Sequence, residues 1–199
     1  MKKRIALFDF DGTLTQNDTF MDFHIARFGW PRVGVAVTAG LCRALGQGAF
    51  GRDAIKEAFA GNLWTGVKHE DYLYAAKSYA EMRVEKNLLP RAMNAFSRHL
   101  TSGDDVYIVT ASFKDWVEFW AERYGVSVIG TELGVSGGVL TGRFSTPNCR
   151  GAEKVRRIRA KANLEAYSKI YAYGNSGGDR QMLAIADEAV YRWERDVEI

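Results

Sequence analysis

Cysteine and histidine are scarce in this 199-residue chain, and no long apolar run is present. Cys42 and Cys149 lie far apart and form no metal-ligand spacing. They read as reduced cytosolic thiols, which excludes a disulfide scaffold. His24, His69 and His99 have no partner spacing either and read as packing or surface residues rather than ligands. No apolar stretch reaches the roughly 18–20 residues needed to span a bilayer. The nearest, Val33 to Cys42, is too short and contains Gly34 and Gly40. The start, Met1-Lys2-Lys3-Arg4, resembles the charged end of a secretion signal, but the apolar run behind it is Ile5–Phe8 and ends in aspartates. A cytoplasmic location is therefore expected. A net charge of +3 is too small to indicate nucleic acid, and no such partner is expected; anionic substrates suit it equally well. Hydrophobic residues at 47% exclude general disorder and can fill one core domain plus a modest insertion.

What is present starts with Phe8-Asp9-Phe10-Asp11-Gly12-Thr13-Leu14-Thr15. Ile5-Ala6-Leu7-Phe8 reads as a short buried strand. Two carboxylates one residue apart at its end are costly to desolvate unless a cation holds them. Alternate side chains of a strand share a face, so Asp9 and Asp11 can aim at one point, and Gly12 lets the chain bend there. A hard dication with oxygen ligands is the natural occupant.

Residues 16–100 show helical periodicity and almost no strand pattern. Helices are expected near 19–28, 31–45, 52–61, 69–86 and 90–101, with Asn17 or Asp18 as the first cap and Pro31 and Pro90 in first turns. Gly46, Gly48 and Gly51 break the middle. Strands follow near 106–109, 126–129, 170–173 and 188–192, with helices near 113–124, 151–162 and 178–186. A hairpin is expected from Thr131 to Thr141 with its turn at Ser136-Gly137-Gly138. Apart from the helical block, strands and helices alternate, the signature of an α/β fold with an open parallel sheet. Such sheets bind ligands at the carboxyl ends of their strands.

Four polar groups fall at those ends: Asp9 with Asp11; Thr110 in Ile108-Val109-Thr110-Ala111-Ser112; Lys154 in the helix after the hairpin; and Asn175 with Asp179 in Gly174-Asn175-Ser176-Gly177-Gly178-Asp179. A metal site, a nucleophile, a hydroxyl donor and a cation are the parts of a phosphoryl-transfer site. Each has a bland reading as well. Thr110 or Ser112 could cap a helix, and Lys154 sits in a basic run with Arg156, Arg157, Arg159 and Lys161 that could be a solvated face.

In this order, the Asp-x-Asp-Gly-Thr stretch, the strand ending in Thr, the later Lys and the Gly-Asn-Ser-Gly-Gly-Asp segment resemble the haloacid dehalogenase-like (HAD) superfamily. The nearest branch is that of phosphoserine phosphatase and the phosphatidylglycerophosphatase C-like hydrolases. The resemblance implies a Rossmann-like parallel-sheet core, residues 1–15 and 101–199, with a helical cap inserted at 16–100. It implies a Mg²⁺-dependent phosphatase working through an aspartyl-phosphate. Asp9 would be the nucleophile, Asp11 the general acid and base, Thr110 a phosphate hydrogen-bond donor and Lys154 the neutralising cation. Asp9, the Asp11 carbonyl and the last motif, Asn175 with Asp179, would hold Mg²⁺. Gly12, Thr13, Ala111 and Ser112 would flank the substrate. Asp18 would face it or cap the first helix, and Arg150 could bind an anion.

One departure matters. The family's last motif usually begins Gly-Asp, and here it is Gly174-Asn175. An amide oxygen coordinates Mg²⁺ but brings no charge, which implies weaker metal binding. The expected substrate is a small phosphorylated metabolite. A lipid phosphate is the alternative, drawn from the apolar Gly29–Phe50 stretch flanked by Arg27, Arg32 and Arg43, which allows peripheral membrane contact without stable insertion. A non-catalytic phosphate binder is the second alternative. Oligomeric state is not legible.

Overall fold

The computed structural model describes residues 3–46 and 51–193, the side chains of 43–45 excepted. Gly48 and the end of the Gly29–Phe50 stretch therefore lie outside the described residues. Five strands form one parallel sheet in the order β3-β2-β1-β6-β7: β1 (Arg4–Phe8), β2 (Asp105–Phe113), β3 (Ser127–Thr131), β6 (Lys169–Gly174) and β7 (Glu188–Tyr191). β1 lies at the centre, and the chain leaves it in opposite directions, through β2 on one side and β6 on the other. This is the topological switch point of an open parallel sheet, where a crevice forms beyond the strand ends.

The apolar run of β1 is buried on both faces, as parallel strands covered on both sides require. Ile5 and Leu7 pack toward α6 (Ala152–Lys161) and α7 (Arg180–Ala184) with Ile158 and Met182. Ala6 and Phe8 face the other layer, α4 (Pro90–Thr101) and α5 (Lys114–Ala121). A separate antiparallel hairpin, β4 (Leu133–Ser136) and β5 (Val139–Phe144), turns at Gly137 and Gly138, both with positive φ. Two successive residues in that region match the tight turn that suits strand twist.

Between β1 and β2 run α1 (Thr19–Gly46), α2 (Arg52–Trp64), α3 (His69–Tyr79) and α4. The two helices expected at 19–28 and 31–45 are the halves of α1, divided at Gly29, whose backbone (φ 77, ψ 156) only glycine adopts readily. The helix expected at 69–86 stays right-handed throughout but widens to a π turn at Ala80–Val84 and tightens to a 3₁₀ turn at Glu85–Asn87. β2 runs four residues beyond the expected 109, because Phe113 still pairs with Thr131 after a register shift. α4, assigned with the helical block by its periodicity, packs on the sheet. Phe96 meets Phe8 and Trp120 edge-on or tilted at 5.5 and 5.9 Å, and His99 bridges Asp104 and the Tyr173 hydroxyl.

The inserted helices share one continuous aromatic cluster with β2 and α5, and His24 sits inside it against Phe113 and Trp116. Its Nδ1–H donates to the Phe20 carbonyl at 2.6 Å, and its Nε2 accepts from the Trp64 indole at 2.8 Å. Those partners fix one neutral tautomer, and the Phe20, Phe23, Phe59 and Trp64 rings close over it. Burial pushes the imidazole down to about 3 from its ordinary 6.5. The unfolded chain takes up this proton below 6.5 while the native state refuses it until about 3, so stability is complete above 6.5 and falls as pH drops through that window. The slope is about 1.4 kcal/mol per pH unit. His24→Gln keeps a donor and an acceptor without the titration. Urea-unfolding midpoints should then fall less between pH 6.5 and 4 than in the wild type; equal acid sensitivity in both proteins would remove His24 as the cause.

Candidate active site

The Asp9 N–H still donates to the Tyr173 carbonyl at 2.9 Å, so pairing with β6 continues one residue past β1. The chain then coils tightly: the Phe10 carbonyl accepts from the N–H groups of Thr13, Leu14 and Thr15 at 3.1, 2.9 and 3.0 Å. Gly12 supplies the positive φ of 71° that this coil needs. Asp9 and Asp11 thereby both line one cleft of about 620 Å³.

Lys154 forms its floor. Its side chain is 1% exposed, and Nζ donates to Asp9 Oδ1 at 2.7 Å, Asp179 Oδ1 at 2.6 Å and the Val109 carbonyl at 2.6 Å. The solvated-face reading of Lys154 fails here. Its neighbours Arg156 and Arg157 instead pair with Glu153, and their guanidinium groups hold that carboxyl down to about 2. Asp9 Oδ2 accepts from the Thr13 hydroxyl at 3.1 Å, and Asp179 Oδ2 from the Ser176 hydroxyl and N–H at 2.7 and 2.9 Å. One ammonium thus serves two buried carboxylates. Asp179, with extra donors, stays below the usual carboxylate range through Lys154. Burial pushes Asp9 up to about 6 despite Lys154, and the Asp179 and Asp11 charges add to the rise.

Asp11 is clamped from two sides. Thr19 donates to Oδ1 through its N–H at 2.7 Å and also through its hydroxyl. Ser112 donates to Oδ2 at 2.6 Å, while Thr110 stands at 3.5 Å. The Thr110 hydroxyl accepts the Ser112 N–H at 3.0 Å and is fully buried. Thr110 and Thr13 therefore sit behind the cleft surface, whereas Ala111 and Ser112 line it. The extension of β2 through Phe113 causes this, since it turns residues 110–112 into strand rather than loop.

Asn175 crosses Gly12: a Cβ on Gly12 would fall 1.9 Å from the Asn175 amide nitrogen. Arg150 lies over Gly178, where a Cβ would meet its side chain at 2.9 Å. Asp18 both lines the cleft and caps α1, accepting the Met21 N–H at 3.1 Å. The two readings of that residue are compatible. Among the described residues no group of three or more His, Cys, Asp or Glu is arranged to hold a metal. The candidate metal donors that line the cleft are nevertheless oxygens: the carboxylates of Asp9 and Asp11 and the amide oxygen of Asn175. That chemistry, and the surplus buried negative charge on Asp9, fit a hard dication. The three carboxylates at the floor are each engaged on both oxygens, Asp9 by Lys154 and Thr13, Asp11 by Thr19 and Ser112, and Asp179 by Lys154 and Ser176; Asp179 is the most buried of them, at 1% exposure.

Sequence reasoning missed Lys56. From α2 of the insertion it reaches the end of β2, donating to the Ala111 carbonyl at 2.5 Å and Asn148 Oδ1 at 3.2 Å, with the Phe20 ring 4.5 Å away. Asn148 in turn donates to Asp53 of α2 at 2.6 Å and accepts from Thr131 at 3.1 Å. Burial lowers Lys56 to about 8, against the pull of Asp11 and Asp18. Arg52, Asp53, Lys56 and Asn148 all line the cleft. No motif marks Lys56 and Asp53, because their hydrogen-bond partners Ala111 and Asn148 lie 55 to 95 residues away.

The pattern of the family described as haloacid dehalogenase-like hydrolase matches residues 6–184. Protein CicA of Caulobacter vibrioides is 35% identical over 192 residues, covering 94% of this chain and 85% of that protein. Among solved structures, a Bordetella pertussis protein of unknown function superposes with a TM-score of 0.80 at 23% identity, covering 96% of this chain and 90% of that one. A substrate-bound phosphoserine phosphatase gives 0.67 at 18%, covering 96% and 86%. At these identities the two structures speak to fold. The matched family pattern spans the insertion, four of the five sheet strands at least in part and every residue of the Lys154 cluster, and the chain belongs to the haloacid dehalogenase-like hydrolases.

Proposed function

We propose that the protein is a phosphatase that hydrolyses phosphomonoesters through a phosphorylated Asp9. One observation carries this reading: a fully buried lysine shared by two carboxylates at the end of β1 and β6, beside a second cleft carboxylate, Asp11, clamped by Ser112 and Thr19. A dehalogenase needs a nucleophilic carboxylate but not Asp11. A phosphatase needs both.

In the first step an Asp9 oxygen attacks phosphorus and the ester P–O bond breaks, while Asp11 gives a proton to the departing alkoxide. In the second, Asp11 takes a proton from water as the water oxygen attacks phosphorus, and the Asp9–phosphorus bond breaks to release phosphate. Ser112 and Thr19 hold Asp11 in position for both transfers. Lys154 orients Asp9 and offsets charge that grows on the transferring group. Asp9, the Asp11 carbonyl and Asn175 would hold Mg²⁺, which would supply further positive charge at the phosphate. Helices α1–α3 act as a cap that shields the cleft from water and selects the leaving group, with Lys56 and Asp53 as its polar tie to the core.

Turnover of p-nitrophenyl phosphate should require Mg²⁺, stop on chelation and return on re-addition. Asp9→Asn should lower it by about a thousandfold or more; a variant within tenfold of wild type would exclude Asp9 as nucleophile. Restoring a charge with Asn175→Asp should lower the Mg²⁺ concentration for half-maximal rate by about tenfold, and an unchanged metal requirement would take Asn175 out of the ligand set. Lys154→Met leaves two buried carboxylates without their shared cation. Its urea-unfolding free energy should fall by roughly 3–5 kcal/mol at neutral pH, with activity lost. A stable, folded Lys154→Met protein would contradict the charge balance argued here.

A further inference from the structure

Beyond Gly29, the second half of α1 turns only part of its surface inward. Val33, Ala36 and Gly40 pack on α2, where a Cβ on Gly40 would stand 3.0 Å from the Phe59 nitrogen and Asn62 donates to the Ala36 carbonyl. The opposite side leaves large apolar groups in water: Trp30 and Val35 are 69% and 68% exposed, Leu41 43% and Val37 41%. Residues 33–42 carry no charge although most of them are exposed. An exposed helical face without charge, instead of isolated apolar residues, marks a surface that something covers.

The chemistry of the cover is written in the flanks. Between Asp22 and Asp53 there is no acidic residue, while Arg27, Arg32, Arg43 and Arg52 all fall in that stretch. Arg27 and Arg32 lie over the Phe28 ring at 5.3 and 4.8 Å, beside Trp30. A second copy of the chain would meet this face with the same arginines and no carboxylate from the segment to answer them. An anionic bilayer supplies both an apolar layer and negative head groups. Among the described residues no helix is long and apolar enough to cross a membrane, so the contact is with the surface. Val37 belongs to both places: exposed on this face, it also lines the cleft, with Phe20, Met21, Ile55 and Phe59 continuing an apolar wall toward Lys154.

We propose that α1 beyond Gly29 docks the protein on an anionic membrane surface, and that the substrate is an amphiphilic phosphomonoester whose apolar part lies along this wall. The docking stands on the surface alone; the substrate class rests on the phosphatase reading above. Trp30 and Leu41 enter the head-group boundary, and Arg27 and Arg32 meet lipid phosphates. The phosphate of the substrate reaches Asp9 while its chain stays against Val37 and Ile55.

The test uses the full chain and the double variant Val35→Asp with Leu41→Asp, which alters exposed positions outside the cleft. Sedimentation with phosphatidylcholine vesicles containing phosphatidylglycerol should carry down the wild type at least tenfold more than pure phosphatidylcholine vesicles do. The double variant should lose that binding and keep wild-type turnover of p-nitrophenyl phosphate. Hydrolysis of phosphatidic acid presented in the same vesicles should fall at least tenfold in the variant. Wild-type protein that ignores anionic vesicles, or a variant that binds them equally, would overturn the docking surface. A dimer in size-exclusion chromatography that the variant converts to monomer, with no vesicle binding, would assign the face to a second copy and overturn it too. Turnover of p-nitrophenyl phosphate without any turnover of phosphatidic acid would sink the substrate class alone. Silence toward both esters would fail the phosphatase reading, and the sedimentation result would still decide the docking.

Discussion

A single ammonium held between Asp9 and Asp179 is the constraint around which the molecule is arranged. Taking three charged groups out of water costs several kcal/mol per ion, and their mutual attraction offsets that cost only with close geometry and further hydrogen bonds. The fold provides both. Lys154 reaches the floor from the first turns of α6, caught also by the Val109 carbonyl at 2.6 Å, while Thr13 and Ser176 occupy the remaining carboxylate oxygens. Three crossing points of the chain are fixed by this one cluster: the end of β1, the end of β6 and the start of α6. The parallel order β3-β2-β1-β6-β7 brings those points together, because β1 and β6 are neighbours across the switch point.

The asymmetry of the cluster carries its chemistry. Asp179 has Ser176 as well as Lys154 and stays below the ordinary carboxylate range; Asp9 has fewer donors and is pushed up to about 6 by burial. The acid that is left under-compensated is the more exposed of the two, at 6% against 1%. Asn175 and Gly12 close the same corner so tightly that a side chain at position 12 would displace the Asn175 amide. Glycine there serves two needs at once, the positive φ of the coil and the close passage of the amide.

Much of this was legible in the sequence, and for a local reason. Asp9 and Asp11 announce themselves because strand, turn and charge lie within a few consecutive residues; Lys154, Asn175 and Asp179 follow because each sits at a strand or helix end in chain order. The two halves of α1 were legible from Pro31, which suits the first turn of a helix. What stayed hidden depends on long-range pairing. Ser112, not Thr110, is the hydroxyl nearest Asp11, at 2.6 against 3.5 Å, because Phe113 pairs with Thr131 and prolongs β2. α4 carries the periodicity of its neighbours, and only contacts such as Phe96 with Phe8 show that it lies on the sheet. Lys56 looks like any helix-surface lysine until Ala111 and Asn148 meet it.

The charges around the cleft then decide what it can accept. Five aspartates line it, Asp9, Asp11, Asp18, Asp53 and Asp179, against the four cations Arg52, Lys56, Arg150 and Lys154. A phosphate dianion entering this balance meets net repulsion at the floor, where Asp9, Asp11 and Asp179 stand against the single ammonium of Lys154, and the proposed dication would offset it. Apolar side chains sharpen the effect. Phe20 lies against Lys56, and Phe59 and Val37 exclude water from one side, so each charge is less screened than it would be in the open. A wall of this kind gives nothing to a strongly hydrated leaving group and rewards an apolar one. On the proposed phosphatase reading, the same residues that strengthen the electrostatics at Asp9 would favour an ester whose organic part prefers hydrocarbon to water.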